Sequence, residues 1–270
     1  MLYIDGFMLS FLKDEFHKEL SGKKIGKIFQ YDNQNISIFF GKTILNISIN
    51  PELPIVYLST EKEESSFTPP NFCLTLRKAL INSIVTSVEQ FQNDRILIFN
   101  FSAIDEIGEK RNYKLIVELM GKHSNLFLIS SDYKIIDLLK RFSIEENSLR
   151  ILMPGVFYKF PVITKKIGFK DIDEQFFKEK IKNDKDIIDN IEGLGSYSAK
   201  QCCISFEAFK NYINQPAFPV IYSSNSKLKF ASFIPFTEFE KYNKKTLCNL
   251  LNGLIDSDGN VFIEDNRKPV

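Results

Sequence analysis

Two runs near the middle of the chain limit its fold more than any other feature. Arg95–Ser102 (RILIFNFS) and Asn112–Met120 (NYKLIVELM) are strand-length and almost unbroken in apolar side chains. Runs this apolar and this rich in β-branched residues belong in the core of a sheet. A polar knuckle adjoins each: Gln92-Asn93-Asp94-Arg95 at the first and Gly121-Lys122-His123-Ser124-Asn125 at the second. Both are more charged and richer in hydrogen-bonding groups than a turn requires. Function is therefore sought there first.

With 270 residues the chain holds one large or two modest domains, and 44% hydrophobic with 26% charged residues is ordinary for a globular protein. No stretch approaches the roughly 18 apolar residues of a membrane span, so no membrane partner is expected. The first residues, MLYIDGFMLSFLKDEF, lack a basic n-region and carry Asp5 early, so no signal peptide is expected. Cys73, Cys202, Cys203 and Cys248 show no CxxC spacing, and His17 and His123 are the two histidines. No metal or other cofactor is expected, and reduced thiols point to a cytoplasmic location. A net charge of +1 excludes a uniformly basic nucleic-acid binder but leaves room for a local basic face.

Taken in order, Asp5 caps a helix that ends at Gly22, with Leu9, Leu12, Phe16 and Leu20 on one face. A meander of strands follows over Lys24–Tyr31, Ile36–Phe40, Thr43–Ile49 and Ile55–Ser59. The polar loop EKEESSFTPP leads into a second helix, where Phe72, Leu76 and Leu80 share a face. Arg77 and Lys78 lie towards its flank and are candidates for phosphate contact. A second meander covers Ile84–Gln90, Arg95–Ser102, Asn112–Met120, Leu126–Ser130 and Lys134–Phe142. Helix, strands, helix, strands predicts an α+β chain whose two sheets pack as a sandwich.

The composition shifts at Thr164, which divides the chain into a β-rich domain over 1–163 and a mainly helical region over 164–270. Phe169–Asn190 is charged with helical spacing and runs into Gly193-Leu194-Gly195-Ser196-Tyr197-Ser198-Ala199. That string fits a helix-hairpin-helix. Gly193 and Gly195 would turn backbone N–H groups outward at a helix start, where a phosphate can sit. A plain helix–helix turn fits the same residues equally well. Beyond it a hairpin over Ala217–Ser223 and Lys227–Ile234 and a helix over Thr237–Leu254 are expected. Asp256–Asn260 is expected to be an ordinary turn, because no Glu closes a calcium loop there.

The chain has no Gly-Lys-Ser/Thr loop, no GxGxxG after a strand, no HExxH and no GxSxG, so no enzyme is expected. His123 reads first as a turn residue and only second as an acid–base group. Asp94 and Arg95 read either as a surface ion pair or as a phosphate-binding pair. Glu118 stands in an otherwise apolar strand and must be exposed or paired, most simply with Arg95. Lys122 adds a cation to the second knuckle.

These segments resemble a known family. MLYIDGFML, PPNFCLTLRKAL, NDRILIF, KLIVELMGKHSNLFLI and RILMPGVFY match, in order and spacing, the N-terminal region of the NFACT family. Fibronectin-binding protein A and the ribosome quality control factors of the RqcH and NEMF type are members. The resemblance implies a β-sandwich-like domain similar to the N-terminal domain of formamidopyrimidine-DNA glycosylases, followed by helix-hairpin-helix elements. Those glycosylases start with a Pro nucleophile and then Glu, where this chain has Leu2 and Tyr3, so their chemistry is not expected here. What it implies instead is a non-catalytic factor that binds the large ribosomal subunit with peptidyl-tRNA. There it recruits charged tRNA, alanyl-tRNA in bacteria, for C-terminal tailing of stalled nascent chains. The family's tRNA-recognising residues fall on Asp94 and Arg95, on Glu118, Leu119 and Met120, and on Asp5. Members continue into a coiled coil and a further domain, so a fragment is expected. The family's older name implies an alternative, a surface adhesin for fibronectin or fibrinogen, against which the missing export signal and disulfide framework count.

Overall fold

The computed structural model describes residues 4–60, 68–105, 107–141, 150–161 and 165–217, and the backbone of 220–224 and 227–232. They fall into two compact units. The described part of one comprises residues 4–12, 92–94 and 165–232; the other comprises 13–91 and 95–161. The short segment 92–94 thus counts with the distant C-terminal stretch rather than with the strands beside it.

Helix α1 (Gly6–Leu20) begins as expected. The Asp5 carboxylate accepts the Met8 N–H at 2.9 Å, and the Asp5 carbonyl accepts the first helical bond from Leu9. Leu9, Leu12, Phe16 and Leu20 recur at three- and four-residue spacing and are fully buried. The helix stops at Gly22, whose φ of +79° is easy for glycine and strained for other residues.

In the larger unit, β1 (Lys27–Gln30), β2 (Asn35–Phe40), β3 (Thr43–Ser48) and β4 (Ile55–Ser59) form an antiparallel meander in chain order. A second meander runs β5 (Ile84–Gln90), β6 (Ile96–Ile104), β7 (Lys110–Glu118), β8 (Asn125–Ser130) and β9 (Ile135–Leu138). Helix α2 (Asn71–Leu80) touches β1 of the first sheet and β6 and β9 of the second. The sheets are also stitched by backbone: Ile25 donates to the Ser83 carbonyl at 2.9 Å and Val85 to Lys23 at 3.0 Å. Strand β9 is shorter than the sequence suggests, for a local reason. The Asn125 side chain takes both the N–H and the carbonyl of Lys140, at 2.8 and 2.7 Å, so the ladder ends there.

The central strands are buried on both faces, which explains their unbroken apolar runs. Phe99 on one face packs beside Phe16 of α1, their ring centres 6.1 Å apart. On the other, Ile96, Ile98, Ile116, Phe127 and Ile129 form a cluster closed by Leu152 and Tyr158. Residues 150–161 therefore act as a strap over that face. It is held by backbone bonds from Ile135 to the Val156 carbonyl and from Tyr158 to the Tyr133 carbonyl, 2.8 and 2.7 Å.

In the smaller unit, β10 (Ile167–Gly168) pairs in parallel with β11 (Ile191–Glu192). The charged stretch expected to be helical is broken into α3 (Glu174–Lys180) and α4 (Asp184–Asn190). Each piece has its own start signal: Asp173 caps α3, and Asn183 with Asp186 forms a reciprocal capping box on α4. After the turn come α5 (Ser196–Cys202) and α6 (Phe206–Asn214), the latter capped by Ser205. Strands β12 (Val220–Ser224) and β13 (Lys227–Ser232) form an antiparallel hairpin. The helix expected over Thr237–Leu254 and the turn at Asp256–Asn260 lie outside the described residues.

Phe127 is fully buried and meets Tyr158 edge-on at 5.1 Å. Phe127→Ala is expected to cost about 3–5 kcal/mol, read as a lowered urea midpoint.

Candidate functional site

In the larger unit the site centres on Glu118, the last residue of β7. It is 2% exposed and lies opposite Ile96 in the ladder, on the face covered by the strap. A carboxylate in that setting needs full compensation. Arg150 supplies it through both terminal nitrogens, at 2.7 and 3.3 Å, and the Tyr158 hydroxyl donates at 2.5 Å. The Arg150 Nε donates to the Lys159 carbonyl at 2.9 Å, which closes the strap on itself. Burial opposes the Arg150 charge, but the Glu118 carboxylate outweighs it and holds the guanidinium above its ordinary value. Burial and then the same carboxylate push the Tyr158 phenol far up, so it remains a donor.

The salt bridge of Glu118 is thus with Arg150, and the pairing expected with Arg95 is corrected. Register gives the reason. Ile96, not Arg95, stands opposite Glu118, while the Arg95 carbonyl accepts the Leu119 N–H at 2.9 Å. Arg150 and Tyr158 were missed as site residues. The available signal was the unbalanced Glu in an apolar strand together with the cation and phenol of the RILMPGVFY run.

Arg95 and Leu119–Met120 therefore meet at one end of the β6–β7 ladder. Leu119 is buried and Met120 half-buried, and the Met120 N–H is taken by the Ser124 hydroxyl at 2.8 Å. A single 3-10 turn, Gly121–His123, then exposes Lys122 and His123. Lys140 donates to the Lys122 carbonyl at 2.8 Å, which brings a second cation to that turn.

In the smaller unit, Asp5 and the Gly193–Gly195 turn form one structure. One Asp5 oxygen caps α1, and the other accepts the Gly195 N–H at 3.1 Å and the Ser198 hydroxyl. Tyr212 donates to Ser198 at 2.8 Å, and Phe7 donates to the Gly193 carbonyl at 2.9 Å. The Gly195 N–H, read as outward-facing, is therefore spent on an internal carboxylate at the start of α5. Asp5 itself is 5% exposed.

Asn93 is the second hub, and sequence reading missed it. Three glycines pack on it: an added Cβ would stand 1.6 Å from the Asn93 carbonyl oxygen at Gly6, 2.8 Å at Gly193, and 2.8 Å from Nδ2 at Gly168. Its amide donates to Glu192 at 3.3 Å. Asp94 follows, half-buried. Burial first, with the Asp94 charge adding to it, holds the Glu192 carboxyl above the usual range against the Asn93 hydrogen bonds.

The remaining predicted cations divide. Arg77 donates its Nε to the Ile28 carbonyl at 2.8 Å and lies over the Phe29 ring, whereas Lys78 is exposed. Among the described residues no group of three His, Cys, Asp or Glu is placed to hold a metal, and no helix is long and apolar enough to cross a membrane.

An α+β chain with two antiparallel meanders, a helix touching both, and a small helical unit built on an N-terminal Asp defines an NFACT-type N-terminal region. The family model for the NFACT N-terminal and middle domains matches residues 5–256, and the chain belongs to that family. It is 31% identical over 243 residues to the Rqc2 homolog RqcH of Streptococcus pneumoniae serotype 2, covering 84% of this chain and 44% of that protein. It is 32% identical over 207 residues to the Rqc2 homolog RqcH of Bacillus subtilis, covering 73% and 36%. The chain thus spans less than half the length of these curated relatives. Among solved structures, the N-terminal part of the fibronectin/fibrinogen-binding protein from Streptococcus suis superposes with a TM-score of 0.84 at 28% identity. That match covers 93% of this chain and 98% of the other.

Arg150→Met leaves Glu118 buried without its cation and is expected to cost about 3–5 kcal/mol, most of it recovered in Glu118→Leu/Arg150→Met. Urea unfolding of the wild type, both single variants and the double variant measures that coupling. The raised Glu192 carboxyl binds its proton more tightly in the folded state. Its stabilising effect is therefore complete below the unfolded value, about pH 4, and is lost as pH rises through the folded one. Glu192→Gln removes this titration, so the wild type should lose stability relative to the variant from about pH 4 upward.

Proposed function

We propose that the chain is the tRNA-contacting part of a ribosome quality control factor. The observation that carries the reading is the Leu119 N–H donated to the Arg95 carbonyl at 2.9 Å. It places Arg95 and Leu119–Met120 at one end of one ladder, with Lys122 exposed in the following turn. The likeness to Rqc2 homologs named RqcH supports the same reading.

In this account Asp94, Arg95 and Met120 read the RNA and Lys122 contacts phosphates, whereas Lys78 lies with Ile104 at the other end of the ladder and takes no part. Glu118 and Leu119 act by fixing the backbone at the end of β7, Asp5 acts within the smaller unit by fixing the starts of α1 and α5, and Arg77 belongs with the framework. The α4–turn–α5 segment is proposed as a helix-hairpin-helix. There Gly193 remains a candidate for phosphate contact, while Gly195 serves Asp5. The chemistry is non-catalytic and cytoplasmic. Within a longer protein, the partner is a large ribosomal subunit with peptidyl-tRNA, and the tRNA delivered is charged, alanyl-tRNA in the bacterial case.

Labelled tRNA titrated at several salt concentrations tests this. Binding should weaken steeply as salt rises, because phosphate contacts release counterions. Asp94→Ala/Arg95→Ala should weaken it by about tenfold or more while the melting curve stays cooperative. Unchanged binding by that folded variant would sink the assignment of these residues.

The fold likeness to the Streptococcus suis protein favours a second reading, binding of fibronectin or fibrinogen. Immobilised fibronectin, presented to the same preparations, separates the two. Retention of fibronectin without tRNA binding at low salt selects the adhesin.

A further inference from the structure

We infer that the groove between α2 and the tip of the β6–β7 hairpin docks an amphipathic helix of a partner protein, apolar along one stripe and acidic beside it. The groove lies wholly within the larger unit and encloses about 1030 Å³. Helix α2 lends Leu74 and Lys78, and the hairpin lends Ile104, Ile107 and Tyr113. Ile104 and Ile107 are 78% and 77% exposed, and Leu74 is 51% exposed. Three of the seven large apolar side chains left exposed among the described residues thus line one concavity. Scattered exposed apolar residues need no explanation, but a gathered set with a polar rim marks an interaction surface.

Helix α2 shows why this face is left over. Its inward side is taken by Phe72, Cys73, Leu76 and Leu80, so Leu74 and Lys78, four residues apart, share an outer row. The rim charge selects the occupant. Arg77 and Lys78 line the groove, and among the described residues neither forms a salt bridge. Asp105 is already matched to Arg111 at 2.9 Å. Positive charge that no described carboxylate pairs, on exposed Lys78 and on Arg77 held through Nε by the Ile28 carbonyl, stands beside an aliphatic floor and is the complement of a helix with an i, i+3/i+4, i+7 stripe and flanking carboxylates. RNA fits this floor poorly, since bases need aromatic faces to stack on and Tyr113 is the one ring lining it.

The position extends the proposed function without depending on it. In the ladder Ile104 pairs with Lys110, whereas Ile96 pairs with Glu118, so the groove and the Arg95–Met120 end lie at opposite ends of the same strands. At about 3.4 Å per residue they are roughly 27 Å apart, far enough for a partner helix and a tRNA to bind together.

Panning a phage-displayed library of random 16-residue peptides on the full chain tests the inference, followed by fluorescence anisotropy with the selected peptides. The expected consensus carries apolar residues at i, i+3/i+4 and i+7 with Asp or Glu between them. Ile104→Asp and Lys78→Glu, both at exposed positions, should each weaken binding by about tenfold or more without changing the melting temperature. Peptides without acidic residues, or binding indifferent to both variants, would overturn it. So would self-association abolished by Ile104→Asp, which gives the groove to a second copy. Loss of tRNA binding in Ile104→Asp would give it to RNA and overturn it equally.

Discussion

A carboxylate that cannot reach water organises the larger unit. Glu118 sits on the face of the sheet that Ile96, Ile116 and Phe127 make apolar, and it is stable there only while Arg150 and Tyr158 hold it. Both partners come from the strap, so the charge that would disfavour burial becomes the point at which the strap is fixed. An apolar residue at 118 would pack but would not specify which stretch of chain closes the face. Because Glu118 is the last residue of β7, the lock also sets where Leu119 and Met120 leave the sheet.

Asp5 repeats this arrangement in the smaller unit with different partners. It holds backbone N–H groups and a hydroxyl instead of a cation, and it stands at the start of two helices. Partial positive charge at helix starts favours such an anion. The seat that a phosphate would take at α5 is filled from within the chain. Glu118 and Asp5 are thus each held by internal partners, whereas Lys122 and His123 are exposed and Asp94 and Arg95 half-buried.

What could be read from sequence follows the range of the forces involved. The meanders, α1 and α2 were legible because burial imprints periodicity locally, and the Asp5 cap because its partner is three residues away. The α3–α4 break was encoded in Asp173 and Asn183, but their capping signals lie within a stretch whose charge pattern suggests one helix. The need of Glu118 for a partner was legible, but the choice of Arg150 was not. Thirty-two residues separate the partners, and nothing local distinguishes Arg150 from Arg95, which is closer in sequence and wrong by one position of register. Asn93 showed only as one member of a polar knuckle, because its importance lies in the side chains its neighbours lack.

That last point bears on how defects in this protein would be distributed. Gly6, Gly168 and Gly193 are scattered along the chain, yet all three shape the hollow that receives Asn93. A methyl group added at any of them would press on the same residue. Genetic lesions spread across nearly two hundred positions would then report on one spot, and a linear map of them would hide how small that spot is.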